Sequence, residues 1–324
     1  MEPLRQSMAQ YSPILQCKKV LFAEYCERWL TAMRPKVKES SYSIYHSQVT
    51  KHIVPFFSTC CCDTLTDTEI AAFSDFLKEN QGLSSKTQKD VLVLLATILK
   101  YAGKFESRYL ELQPIYPRIV RKEMRVLSRS EQTVLIEYLL QDLDCVKFGI
   151  LLALMTGMRI GEICALKWEH ISIRDEKILV RSTLQRIRQQ DDSGISKTKI
   201  VITTPKSQKS IRTIPMSELA VKLCREMCCH EQEAYILTGT KSYMEPRALQ
   251  YRLRKYTEAC HLEGVHFHTL RHTFATRCME VGMETKVLSD ILGHANISIT
   301  LDCYVHASFD IKKENIQKLR AVGM

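Results

Sequence analysis

The chain has 324 residues, 45% of them hydrophobic and 25% charged, enough for two domains with cores of their own. Its formal net charge of +10 favours a polyanionic partner, with nucleic acid the first class to consider. No window approaches eighteen uncharged apolar residues and the N-terminus lacks an apolar signal core, so a membrane helix and secretion are both excluded as expectations.

Residues 1–16 are polar, carry Pro3 and Pro13, and read as a flexible leader. From 17 to 104 the pattern is helical. Leu21, Phe22, Tyr25, Cys26 and Trp29 fall on one helix face. A second helix opens at Ser40-Ser41-Tyr42, runs towards Ile53 and is expected to end at Pro55. Thr66 and Glu69 form a capping box ahead of Ile70, Phe73 and Leu77, and Ser84-Ser85 starts a last helix through Leu99. About four helices and no strand predict a small all-helical domain.

Residues 105–126 break that pattern with Pro114 and Pro117, then carry Arg118, Arg121, Lys122 and Arg125 with Glu123 as nearby counter-charge. They read as a basic linker: a solvated strap, or a strap lying on DNA. A second domain spans 127–308. Ser128 and Glu131 make another capping box, and Phe148 to Met155 is apolar enough for a buried helix. Strands are expected from Lys177 continuously to Ile187, at Lys199–Thr203 and at Ser210–Ile214, with helices from Ser217 onward. The fold class is therefore mainly α: a helical N-terminal domain, then a mostly helical α/β domain with a small antiparallel sheet.

Chemistry concentrates in the second domain. Gly157 is placed to end one helix and Arg159 to begin the next, where a guanidinium joins helix N-terminal N–H groups as a phosphate site. Glu162, one turn on, is positioned to orient Arg159 through a bidentate pair. Lys206 lies in a turn between strands, with Lys209 and Lys199 competing for the same role. His268 and Arg271 share a helix face, with His272 beside them. His294 follows Gly293, a helix cap, and a short helix capped by Asn296 or Ser298 is expected to carry Tyr304. A tyrosine phenol is protonated at neutral pH and becomes a useful nucleophile only where cations surround an anionic electrophile such as a phosphodiester.

The motifs Thr156-Gly157-Met158-Arg159-Ile160-Gly161-Glu162, His268-Thr269-Leu270-Arg271-His272 and Leu292-Gly293-His294, followed by Tyr304, resemble the catalytic signature of the tyrosine recombinase (phage integrase) family, of the mobile-element integrase type. The order of parts agrees from about Val20 to Ala307. The resemblance implies that residues 17–104 are a core-binding DNA clamp and 127–308 the catalytic domain. It implies that Tyr304 attacks the scissile phosphate, Arg159 and Arg271 clamp its oxygens, and Lys206 protonates the leaving oxygen. His268 and His294 would assist, and Glu162 would fix Arg159. The implied activity is site-specific recombination of double-stranded DNA in the cytoplasm, on the nucleoid. No cofactor, metal or nucleotide is implied. The implied assembly is a tetramer on DNA joined by the 309–324 tail docking in trans, with accessory DNA-bending or directionality factors as possible partners.

Alternatives of other classes stay open at this point. A type IB topoisomerase shares the tyrosine chemistry, and a non-catalytic regulator shares the fold. A metal site would need His266, His268, His272 and His294 together. The thirteen cysteines offer no complete ligand set and read as reduced thiols, many of them serving as small apolar residues.

Overall fold

The structure, a computed structural model, describes residues 20–60, 65–79, 82–105, 112–119, 124–190, 196–203, 211–294 and 296. The chain divides into two units, Met1–Arg121 and Lys122–Met324, and each has its own hydrophobic core. No helix among the described residues is long and apolar enough to cross a membrane.

The first unit is helical. Helix α1 (Phe22–Met33) buries Phe22, Tyr25, Cys26, Trp29 and Leu30, the face its periodicity marks. Helix α2 (Glu39–Gln48) does not stop before Pro55. It passes through a π-turn (Val49–Ile53) into α3 (Val54–Phe57), with Pro55 inside the helical path. The reason is geometric. A proline removes an N–H and crowds the carbonyl four residues back; the π-turn widens the ladder there, with the Val54 N–H bonding the Val49 carbonyl. Helix α4 (Asp67–Glu79) starts as expected, the Glu69 carboxylate accepting the Thr66 N–H at 2.8 Å. Helix α5 (Ser85–Ala102) is capped by the Ser84 hydroxyl, which accepts the Thr87 N–H at 3.2 Å. Phe56, Phe57, Phe73 and Phe76 form one aromatic cluster where α3 meets α4.

The second unit opens with α6 (Arg129–Leu140), whose capping box is complete: Glu131 accepts the Ser128 N–H at 2.7 Å and Ser128 accepts the Glu131 N–H at 3.2 Å. Helix α7 (Cys145–Thr156) is apolar all round and buried, the central rod of this core. A short α8 (Ile160–Cys164) follows. Five strands come next: β1 (Ile171–Ser172), β2 (Lys177–Val180), β3 (Thr183–Gln190), β4 (Ser196–Thr203) and β5 (Arg212–Pro215). They form two antiparallel sheets, β1-β2-β5 and the β3-β4 hairpin.

The continuous strand expected from 177 to 187 is thus two strands in two ladders. Ile178 and Val180 alternate inward, but Ser182 would take the next inward place; the chain turns there, and Leu184 reaches the core from the hairpin instead. Four helices follow among the described residues: α9 (Glu218–Met227), α10 (Pro246–Ala259), α11 (Phe267–Glu280) and α12 (Thr285–Leu292). The helical pattern expected throughout from Ser217 is interrupted at residues 228–245. There the chain makes bridges Lys167↔Tyr235 and Tyr235↔Thr240, which seat the apolar Ile236 and Leu237 against the core.

Candidate catalytic site

The site is built on the ends of three helices. Helix α7 stops at Gly157, whose φ of 65° is left-handed. A Cβ there would lie 2.5 Å from a Phe274 ring carbon and 2.7 Å from a Leu292 methyl, so the turn is as tight as glycine allows. Arg159 is then the extended N-cap of α8. Glu162 reaches back to it, accepting the Arg159 N–H on Oε2 and the Arg159 Nη1 on Oε1, both at 2.9 Å.

The bidentate partner of Glu162, however, is not Arg159. Arg212, from β5, donates Nη1 to Oε1 at 3.0 Å and Nη2 to Oε2 at 2.9 Å. The side chains of Arg212 and Glu162 are 5% and 3% exposed, that of Arg159 35%. One carboxylate therefore serves a sunken guanidinium and an open one. Burial pushes the Glu162 carboxyl up, but the Arg212 pair and the Arg159 charge outweigh it and hold the group below the usual carboxylate range.

Arg271, on α11, is buried, and its guanidinium spans two helix ends. Nη1 donates to the Gly157 carbonyl and Nη2 to the Leu292 carbonyl, each at 2.7 Å. These are carbonyls at C-terminal helix ends, which lack helical partners and sit at the negative end of the helix dipole. Arg159 Nη2 donates to the next carbonyl along, that of Gly293, at 3.2 Å. Two guanidinia thus hang from consecutive carbonyls at the end of α12. Gly293 makes this possible with a φ of 64°, closing α12 and delivering His294, whose N–H bonds the Ser289 carbonyl at 3.1 Å.

Three histidines stand around this pair. Desolvation, then Arg271 and Arg159, lowers the His268 pKa. Desolvation, then Arg271, Arg159, Arg212 and His268, lowers that of His294 to about 4. His272 packs edge-on against His268 with ring centroids 4.9 Å apart and is likewise lowered to about 4, by desolvation, His268 and Arg271. At neutral pH these imidazoles are uncharged, each able to donate or accept one hydrogen bond. Among the described residues no group of three or more His, Cys, Asp and Glu side chains is arranged to hold a metal ion.

The structure therefore brings Arg159, Glu162, His268, Arg271 and His294 together. Lys206, Lys209 and Tyr304 lie outside the described residues, as do Arg121, Lys122 and the 309–324 tail. Of the linker cations, Arg118 is exposed. Arg125 is engaged within the chain, its Nη1 bonding the Glu131 carboxylate at 3.0 Å and its Nη2 also paired with that group. That contact holds the Glu131 carboxyl down at about 2.

Two features escaped the sequence reading. Arg212 alternates inward with Ile214 on β5, a period-two signal that a buried cation needs a buried carboxylate. Helix α10 exposes Arg247, Arg252, Arg254 and Lys255, with Arg254 and Lys255 stacked at 5.3 and 4.9 Å over Tyr251. Its start is tied to the β3-β4 hairpin, where Arg186 Nη2 donates to Glu245 Oε1 at 2.7 Å.

A helical unit followed by a mostly helical unit, with arginines and histidines gathered at helix ends, defines the class. Residues 141–310 match the phage integrase family, and residues 21–78 match the phage integrase N-terminal SAM-like domain. The chain belongs to the phage integrase family. It is 30% identical over 252 residues to a "Tyrosine recombinase XerC-like" of Caldanaerobacter subterraneus subsp. tengcongensis, covering 70% of this chain and 63% of that relative, just under two thirds of its length. It is 24% identical over 319 residues to the ICEBs1 integrase of Bacillus subtilis, covering 93% and 83% of the two chains. The Tn1549 transposon integrase, solved in complex with transposon right end DNA, shares the fold with a TM-score of 0.71 at 21% identity, over 93% of this chain and 100% of that one.

Proposed function

We propose that the chain is a site-specific DNA recombinase of a mobile genetic element, one that cuts and rejoins duplex DNA through a covalent 3′-phosphotyrosine. One observation carries this reading: Arg159 and Arg271 hang from consecutive carbonyls beside two uncharged histidines. A phosphodiester gathers negative charge on its non-bridging oxygens as it is attacked, and preorganised guanidinia are what holds that charge. The similarity to a tyrosine recombinase and to two integrases of mobile elements supports the same substrate class.

In this reading Tyr304 Oη attacks the phosphorus and the bond from phosphorus to the 5′-oxygen breaks. Lys206 gives the departing oxygen its proton, leaving a 3′-phosphotyrosyl link and a free 5′-hydroxyl. His268 takes the phenolic proton and His294 hydrogen-bonds a phosphate oxygen. A 5′-hydroxyl from the partner duplex reverses the step, so the phosphoester bond energy is conserved and neither metal nor nucleotide is consumed. Residues 17–104 serve as the core-binding DNA clamp and residues 127–308 as the catalytic domain. Arg118, Arg121, Lys122 and the exposed cations of α10 add phosphate contacts. Arg125, the remaining linker cation, contributes least because Glu131 already neutralises it. The working assembly is a tetramer on DNA, associated with the nucleoid and open to accessory bending or directionality factors.

The test is Tyr304→Phe on a nicked suicide substrate. Wild type is expected to accumulate a covalent adduct; the variant is expected to form none while its DNA Kd stays within about threefold. An adduct formed by the variant would remove Tyr304 as nucleophile. Relaxation of any plasmid by wild type, without synapsis of two sites, would favour the topoisomerase. A wild-type protein that binds and never cuts would favour the regulator.

A further inference from the structure

Arg212 has no place in the attack itself, yet its side chain is buried beside the site, only 5% exposed. Its Nη1 and Nη2 hold the Glu162 carboxylate at 3.0 and 2.9 Å, and its Nε donates to the Ile291 carbonyl. It also lies flat against the α12 turn: a Cβ on Gly293 would meet its Cδ at 2.9 Å and its Nη1 at 3.1 Å. Glu162 in turn holds the backbone and guanidinium of Arg159, and Gly293 precedes His294. Arg212 itself stands at the start of β5, immediately after the segment that carries Lys206.

We infer that Arg212 is a positioning residue that locks the Arg159 clamp and the His294 turn into one rigid unit. The inference rests on the recombinase reading for its catalytic consequence, but not for its mechanical one. A planar fork is required. Two parallel bonds to one carboxylate and a third, from Nε, to a carbonyl fix three bodies at once. An ammonium has one attachment point and leaves at least one of the three free. Being buried and already committed, Arg212 does not touch the DNA. Its loss would displace Arg159 and His294 without removing a phosphate contact, and a displacement near 1 Å is enough to cost about 100-fold in rate.

Arg212→Lys in the full chain tests this with two readings. The first is single-turnover adduct formation at saturating DNA, with Kd and the thermal melt measured alongside. We expect a fall of about 100-fold in cleavage while Kd moves less than about threefold and the protein stays folded at the assay temperature. Combined with His294→Ala, the two losses are expected to be far from multiplicative, since both act on the same turn. The second reading needs no activity: amide hydrogen exchange without DNA. The Gly293 and His294 N–H groups should exchange at least about tenfold faster in Arg212→Lys, with the Leu223 and Cys224 amides of α9 unchanged.

If Arg212→Lys does not fold, Glu162→Gln keeps the volume, loses the charge and is read the same way. Cleavage within about threefold of wild type, or exchange raised equally across α9 and the α12 turn, would overturn the inference. Absence of adduct in wild type strikes the recombinase reading alone, and the exchange result then decides the mechanical claim by itself.

Discussion

His268, His272 and His294 are poised beside guanidinia in a partly desolvated pocket, and this sets how acid affects the protein. Their folded pKa values lie below the ordinary 6.5, at about 4 for His272 and His294. An unfolded chain therefore binds protons there before the folded one does. The stability these residues contribute is complete above about pH 6.5 and is lost as pH falls towards 4. The thermal midpoint is expected to drop between pH 7 and pH 5. His272→Asn should flatten that dependence, and an unchanged slope in the variant would show that His272 does not titrate as described.

At this scale the sequence was most legible where rare residues fall in local motifs that the fold then gathers, as with Arg159, His268, Arg271 and His294. It was least legible at Arg212, whose partner lies in another element. Spacing along one helix put Glu162 with Arg159, but a buried carboxylate takes the fork that desolvates with it, and that fork comes from β5. Four of the described cysteines behave as small apolar residues. Cys26, Cys164, Cys224 and Cys278 are buried, and burial pushes the Cys164 and Cys224 thiols up to about 12.

Among the elements, the terminations matter more than the helices themselves. The left-handed turns at Gly157 and Gly293 expose the carbonyls that anchor both arginines. Gly157→Ala would force a Cβ into Phe274 and Leu292 and place alanine at positive φ. We expect it to cost about 2 kcal/mol or more in urea denaturation, from the backbone term and overpacking together. A loss below about 0.5 kcal/mol would mean the turn relaxes freely. Caps and apolar faces were readable because they are local: Thr66 with Glu69, Ser128 with Glu131, and the buried stripe of α1. The π-turn around Pro55 and the split of residues 177–187 into two ladders were not. Both depend on what the neighbouring chain offers, a widened ladder in one case and a different partner strand in the other.

For the whole molecule, a surplus of ten positive charges suits a chain whose partner is a polyanion. The tetramer we propose draws on the apolar spacing of Ile311, Ile316 and Leu319 in the tail. Cutting the chain after Ser308 should leave binding to a single site intact and abolish higher assembly on DNA. Sedimentation of the truncated protein on a two-site substrate checks this, and unchanged assembly would assign the tail to its own protomer.

Arg271 also bears on when the proposed site becomes complete. A nucleophile able to open a duplex is a hazard to the cell in any half-made state. The two carbonyls that seat Arg271 come from residues 157 and 292, which meet only when α12 has packed beside α7 and α11. A chain still emerging from the ribosome, or one frayed at its C-terminal end, has the arginines but no seat for them. In the recombinase proposed above, the arginine clamp is therefore assembled only once α12 has packed.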